Sequence, residues 1–283
     1  MTVFVPPADY LSEAWLWTLK AVQDASGTAA HVVTTVVHPT DGDLDVAAAL
    51  DEFLAGGKCK AWPVETVAST IFPGALYRDQ PRPWTENLSA HSKSELDVAA
   101  TELFNDYIDM LPILASESSS TWDSTYFGRM VSWPGSNPPV NQLKERIQYL
   151  RTQHAQSNGR ANAADIAVGG EGELGASLQI HGSRDRRWQG GPCLVHIDLT
   201  VHDGCLNMLA TYRHWHLVTK ALGNLLGLSR LLHFLCEQTG YSAGELTVVS
   251  GTANAQRKDW GGRSGVDGLI ALGSAALTQR ARR

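Results

Sequence analysis

Between Gly190 and Asn224 the chain reads GGPCLVHIDLTVHDGCLNMLATYRHWHLVTKALGN, and no other stretch constrains the fold as tightly. Two apolar, β-branched runs flank Asp203-Gly204. Asp-Gly between such runs is the strongest short-range hairpin signal, because the tight turn needs positive φ at both central residues. The pattern predicts a strand with Cys193 near its start, a two-residue turn and a partner strand. Arg213 is expected past the far end of that partner, followed by the first half of a helix.

Flanking segments supply layers to cover the hairpin. Residues 8–23 place Leu11, Trp15, Leu19 and Val22 on one face at helical spacing, and 31–39 is a β-branched run closed by Pro39, read as a strand. Helices are predicted over 44–54, ending at Gly56-Gly57, and over 64–72 behind Pro63, with Glu65 in the first turn. A Pro-rich loop (78–92) leads to an acidic amphipathic helix (94–110), then to a polar stretch (116–124) interrupted by Trp122. A helix over 141–154 carries Leu143, Ile147 and Leu150 on one stripe, followed by a linker over 157–175 and a strand over 175–183. Beyond Asn224 the helix predicted over 216–239 is apolar on most sides and stops at Gly240, and 245–250 reads as a strand.

Composition narrows the function classes. At 283 residues with 43% hydrophobic content the chain suits one large domain, 1–283, with an insertion at about 78–124. A net charge of -6 and a pI near 5.9 argue against a nucleic-acid-binding protein. Four cysteines without CxxC spacing do not suggest a structural zinc site, and His214 and His216 lack a third ligand fixed by spacing, so no metal is expected. Neither a membrane span nor a signal peptide is read, which predicts a cytoplasmic chain with reduced thiols and room for a free catalytic cysteine.

Pro192-Cys193, the turn at Asp203-Gly204, Arg213 twenty residues after the cysteine and Asn224 eleven beyond that fall at ungapped spacing. In this constellation the chain resembles the thymidylate synthase family, most clearly over 190–256. The resemblance implies an α+β fold, one mixed sheet with helices on one face and a homodimer through the other. It implies that Cys193 is the nucleophile, that Arg213 favours its thiolate and binds substrate phosphate, and that Asn224 reads a pyrimidine edge. Glu65 matches the family's proton-transfer acid, or simply complements a helix dipole. Asn254 and Gln256 stand where the family has a His and a Tyr for the sugar, and Phe127 in Phe127-Gly128-Arg129 where it has a Tyr. The cofactor implied is 5,10-methylenetetrahydrofolate, with His216, Lys220 and Trp122 as its candidate contacts.

Departures from the family pattern concentrate at two sites. Ala25 replaces the phosphate-loop Arg, Glu173-Leu174-Gly175-Ala176 replaces a pair of cross-subunit arginines, and His214 replaces a phosphate-binding Ser. Arg184, Arg186 and Arg187 are either substitutes for those arginines or a solvated basic loop. At the cofactor site His216 replaces a pterin-binding Asp, and Lys220 a Gly. The reading is therefore an enzyme that transfers a methyl or hydroxymethyl unit to C5 of a pyrimidine or related heteroaromatic ring, in a specialised pathway. The alternatives are a non-catalytic ligand-binding protein on the same fold and ordinary dUMP methylation.

Overall fold

The computed structural model describes residues 2–41, 46–117, 125–133, 139–155, 164–167, 172–173, 177–178 and 192–280. In chain order the first elements are β1 (Val3–Phe4), α1 (Leu11–Asp24), β2 (Thr28–Val36), α2 (Ala47–Gly56), α3 (Val64–Ser69), a 3-10 turn (Gly74–Leu76), α4 (Ala90–Glu117), α5 (Tyr126–Val131) and α6 (Gln142–Ala155). Then come β3 (Ala164–Ala167), β4 (Gly172–Glu173), β5 (Ser177–Leu178), β6 (Leu194–His202), β7 (Cys205–His216), a π-helical turn (Leu217–Ala221), α7 (Leu222–Thr239), β8 (Ser242–Asn254) and α8 (Gly262–Arg280). The class is α+β. Strands hydrogen-bond in the order β1-β2-β8-β7-β6-β3, with β1 and β2 parallel and β2-β8 and β3-β6 antiparallel, while β4 and β5 form a separate ribbon.

The hairpin forms as its turn dictates. Asp203 (φ 51°) and Gly204 (φ 76°) both occupy the left-handed region, the type I′ arrangement that Asp-Gly favours. Cys193 lies at the bend immediately before β6. Arg213 lies inside β7, short of its end, because that strand runs on to His216.

The chain divides into two compact units. The first comprises Met1–Ser69, Leu209–Ser229 and Gly244–Arg283, and the second Thr70–Met208 and Arg230–Ala243. In the first unit α1 buries Leu11, Trp15, Leu19 and Val22, the stripe its sequence presents, and packs on β2 and α8. Thr18 and Thr34 close the α1-β2 contact through a 2.7 Å hydroxyl pair, and Gln23 Nε2 donates to Asp267 Oδ1 (2.6 Å) on α8. In the second unit the core is a ring cluster: Phe72, Tyr77, Phe104, Tyr107, Phe127 and Phe234 meet largely edge-on, at centroid distances such as 4.8 Å for Tyr107 to Phe127.

Several expectations need correction. Ala164–Ala167, inside the predicted linker, is a strand whose Ile166 pairs with Ile197 of β6 and is fully buried. Helix α4 is longer than read, with Pro112 within it, and β8 extends well beyond 245–250 on both sides. The helix predicted from His216 begins as a π turn, and α8 was not predicted at all.

Candidate functional site

The predicted residues divide between the two units. Trp122, Arg184, Arg186, Arg187 and Leu174-Gly175-Ala176 lie outside the described residues. In the second unit the half-buried Cys193 stands at the mouth of β6, next to Tyr126 of α5. The Tyr126 hydroxyl faces the backbone N–H of Leu194 at 3.5 Å. Burial, and then the adjacent Cys193 sulfur, push its pKa up to about 12, so the phenol stays a protonated donor beside the thiol. Phe127, one residue on, is fully buried among Phe72, Phe104 and Tyr107 and serves the core. The side chain beside the cysteine is thus Tyr126, not the expected Phe127.

The other residues belong to the first unit and gather where β7 runs through the π turn into α7. Burial alternates along β7 up to Tyr212 and then slips, so that Trp215 is buried and stacks on Tyr212 with ring centroids 5.9 Å apart. Such a slip is what an extra residue in one strand produces, and it leaves Arg213 exposed and His214 and His216 half-buried. The two imidazoles lie 4.4 Å apart. Desolvation lowers the pKa of both, and for His216 the neighbouring His214 and Lys220 lower it further while Asp259 opposes them. Both sites therefore favour the neutral ring. His214 Nε2 and His216 Nδ1 are buried and have no hydrogen-bond partner among the described residues.

Asn224 follows on the first turn of α7 and is 4% exposed. Trp215 Nε1 donates to its Oδ1 at 3.2 Å. Gly223 beside it allows α7 to meet α3 backbone to backbone, since a Cβ there would lie 2.7 Å from the Val64 carbonyl oxygen. That contact brings the helix carrying Glu65 against the helix carrying Asn224, although Glu65 itself is exposed.

At the end of β8, Asn254 Oδ1 accepts the Gln256 backbone N–H at 2.6 Å, and Gln256 Oε1 accepts both the backbone N–H (2.9 Å) and the hydroxyl (3.0 Å) of Thr219. The amide oxygens of both residues thus brace the π turn. Arg257, which the sequence reading passed over, lies against Gly27 in the loop where Ala25 stands, and its guanidinium donates to the Gln23 side chain (2.7 Å) and backbone oxygen. No short-range spacing could have revealed it, because the contact joins residues far apart in the chain. The same unit has a cavity of about 770 Å³ lined by Phe53, Lys58, Lys258, Asp259 and Trp260.

These residues do not fit a folate held in the family's manner. A pterin offers adjacent N–H donors that suit the two oxygens of a carboxylate, whereas a neutral imidazole accepts at one nitrogen only. His216 has that single acceptor, and half-buried Lys220 adds a cation on the π turn next to it.

No family model matches the chain. Among curated proteins it is similar to one named "Putative thymidylate synthase" from Methanosarcina acetivorans, 24% identical over 148 residues, 52% of this chain and 59% of that protein. A protein of the same name from Methanococcoides burtonii is 22% identical over 148 residues, with the same coverage. The matched part therefore spans about three fifths of these relatives' length, 59%. These distant similarities, over half of the chain, support a thymidylate-synthase-like relationship. Among the described residues no helix is long and apolar enough to cross a membrane.

Proposed function

We propose that the protein is a thymidylate-synthase-like one-carbon transferase acting at C5 of a pyrimidine, or of a related heteroaromatic ring, through a covalent adduct at Cys193. The observation that carries this reading is Cys193 itself, half-buried at the mouth of β6 beside the Tyr126 hydroxyl. The names of the distant relatives support the same reading at the level of the family. The Cys193 thiolate adds to ring C6, and the C5=C6 electron pair moves onto C5 and the conjugated carbonyl oxygen. C5 then attacks the methylene carbon of an iminium-type one-carbon donor, and loss of the C5 proton with departure of the donor's amine leaves an exocyclic methylene on the ring still tethered to Cys193. Water adding to that methylene expels the thiolate and leaves a hydroxymethyl group, whereas a hydride donor adding there, with two further electrons, expels it and leaves a methyl group.

Asn224 suits a uracil-like edge. An indole N–H only donates, so Trp215 must face the amide oxygen, which leaves the amide N–H pair as the donors that the resemblance would assign to a pyrimidine carbonyl. The second lone pair of Oδ1 is left for a ring N–H. Ala25, Glu173-Leu174 and His214 stand in place of phosphate ligands, which favours an acceptor other than dUMP and a role in a specialised pathway. The protein acts as a homodimer, as the resemblance implies.

The adduct can be tested without any one-carbon donor. Reversible addition at C6 lets C5 take a deuteron from solvent, so uracil, uridine, UMP and dUMP would each be incubated with the protein in D2O and followed by proton NMR. We expect one of them to lose its C5 proton signal with wild type and to keep it with Cys193→Ala. Exchange that persists in Cys193→Ala, or fails with every ring tried, would sink the proposal.

A further inference from the structure

The second unit holds another cluster of chemistry-bearing side chains, separate from Cys193. His233 and Glu237 lie one helical turn apart on the same face of α7, and Asp79, just after the 3-10 turn, joins them. One ligand atom from each lies within 4.8 Å of the other two, with His233 Nε2 to Asp79 Oδ1 at 3.7 Å. As a bare ion pair, an exposed His and Asp would contribute little.

Glu237 makes the cluster more than a surface pair. It is only 7% exposed, and its carboxylate accepts from the Tyr77 hydroxyl (2.6 Å) and from the Gln80 backbone N–H. Both donors are neutral. The charged groups that act on it are Asp79, which repels it, and His233. A buried carboxylate ordinarily has a cation or a metal beside it, and a second carboxylate at its edge raises that need.

We propose that Asp79, His233 and Glu237 form a binding site for a first-row divalent cation of the zinc class. Bonds of about 2.0–2.2 Å place two ligands of one tetrahedral ion roughly 3.4 Å apart, and at most about 4.4 Å apart in any geometry. The 3.7 Å edge already meets this, and the Asp79 and His233 side chains, 77% and 51% exposed, can close the remainder. An imidazole with two carboxylates favours zinc or its neighbours over magnesium or calcium, which prefer all-oxygen shells. Tyr77 and Gln80 hold the Glu237 oxygens from behind, and Gln238 Nε2 donates to Tyr77 Oη at 3.2 Å, so the least mobile ligand has an oriented outer shell. Water completes the coordination on the exposed side. A bound ion would fasten the segment around Asp79 to the second half of α7.

The test uses the full chain, stripped with a chelator and titrated with zinc chloride alone by calorimetry, with cobalt absorption as a second readout. Wild type should bind one ion per chain at micromolar affinity or better and gain thermal stability. His233→Ala and Asp79→Asn should each weaken binding by about tenfold or more, with far-ultraviolet circular dichroism unchanged, while Cys59→Ser, which removes an exposed thiol, should bind like wild type. Stoichiometric binding that survives both ligand variants, or that is lost in Cys59→Ser, would overturn the site, as would no binding by wild type.

Discussion

His214 and His216 turn burial into a pH dependence. An unfolded chain protonates these imidazoles near their ordinary value of 6.5, whereas the folded chain resists, because desolvation penalises the charged form of both rings. Below that value the unfolded state binds more protons. Their contribution to stability is therefore fully present above pH 6.5 and lost as the pH falls through and below it. Glu237 works in the opposite sense: burial raises its pKa, so its contribution is present below its ordinary 4.5 and lost as the pH rises through the raised value. We expect the urea midpoint to fall between about pH 7.5 and pH 5.5, and the double variant His214→Gln/His216→Gln to flatten that fall. An undiminished fall in the double variant would assign the effect to other groups.

The π turn is the element on which the first-unit residues depend. Leu217–Ala221 lets β7 pass directly into α7, and it is pinned by Trp15 Nε1 donating to the Leu217 carbonyl (2.8 Å) and by Gln256 accepting from Thr219. Gln256 itself holds a positive φ of 53°, uncommon for a residue with a side chain. Gln256→Ala removes an acceptor shared by two donors and should cost about 1–3 kcal/mol in denaturant unfolding. Amide exchange should speed up most over 217–221. Exchange there at the wild-type rate would show that the turn stands without its brace.

Sequence made some of this legible. Asp203-Gly204 predicts the hairpin because few residues tolerate that turn, and the α1 stripe predicts its own buried face. Spacing singles out Cys193 and Asn224 as candidates, but it does not report which distant side chains meet, so it is silent on Tyr126, Thr219 and Arg257. Helix α8 was hidden by the glycines that let it fit. A Cβ on Gly265 would lie 2.0 Å from the Trp260 carbonyl oxygen, and one on Gly273 would lie 3.0 Å from Leu16, so residues that lower helix propensity are the ones close packing requires. Strand β3 is short and Gly-rich sequence follows it, so only its pairing with β6 distinguishes it from a linker.

At the scale of the whole molecule, the proposed homodimer predicts a mass near twice 30.6 kDa by light scattering at micromolar concentration, and a monomer there would refute it. The two units are interleaved along the chain: the first is assembled from three separate stretches, and its α1 is held by α8 through Gln23 and Asp267, 244 positions apart. At roughly 5–20 residues per second a ribosome needs about 10–50 s to make the intervening chain. For that time α1 waits for the partner that α8 supplies to one of its faces.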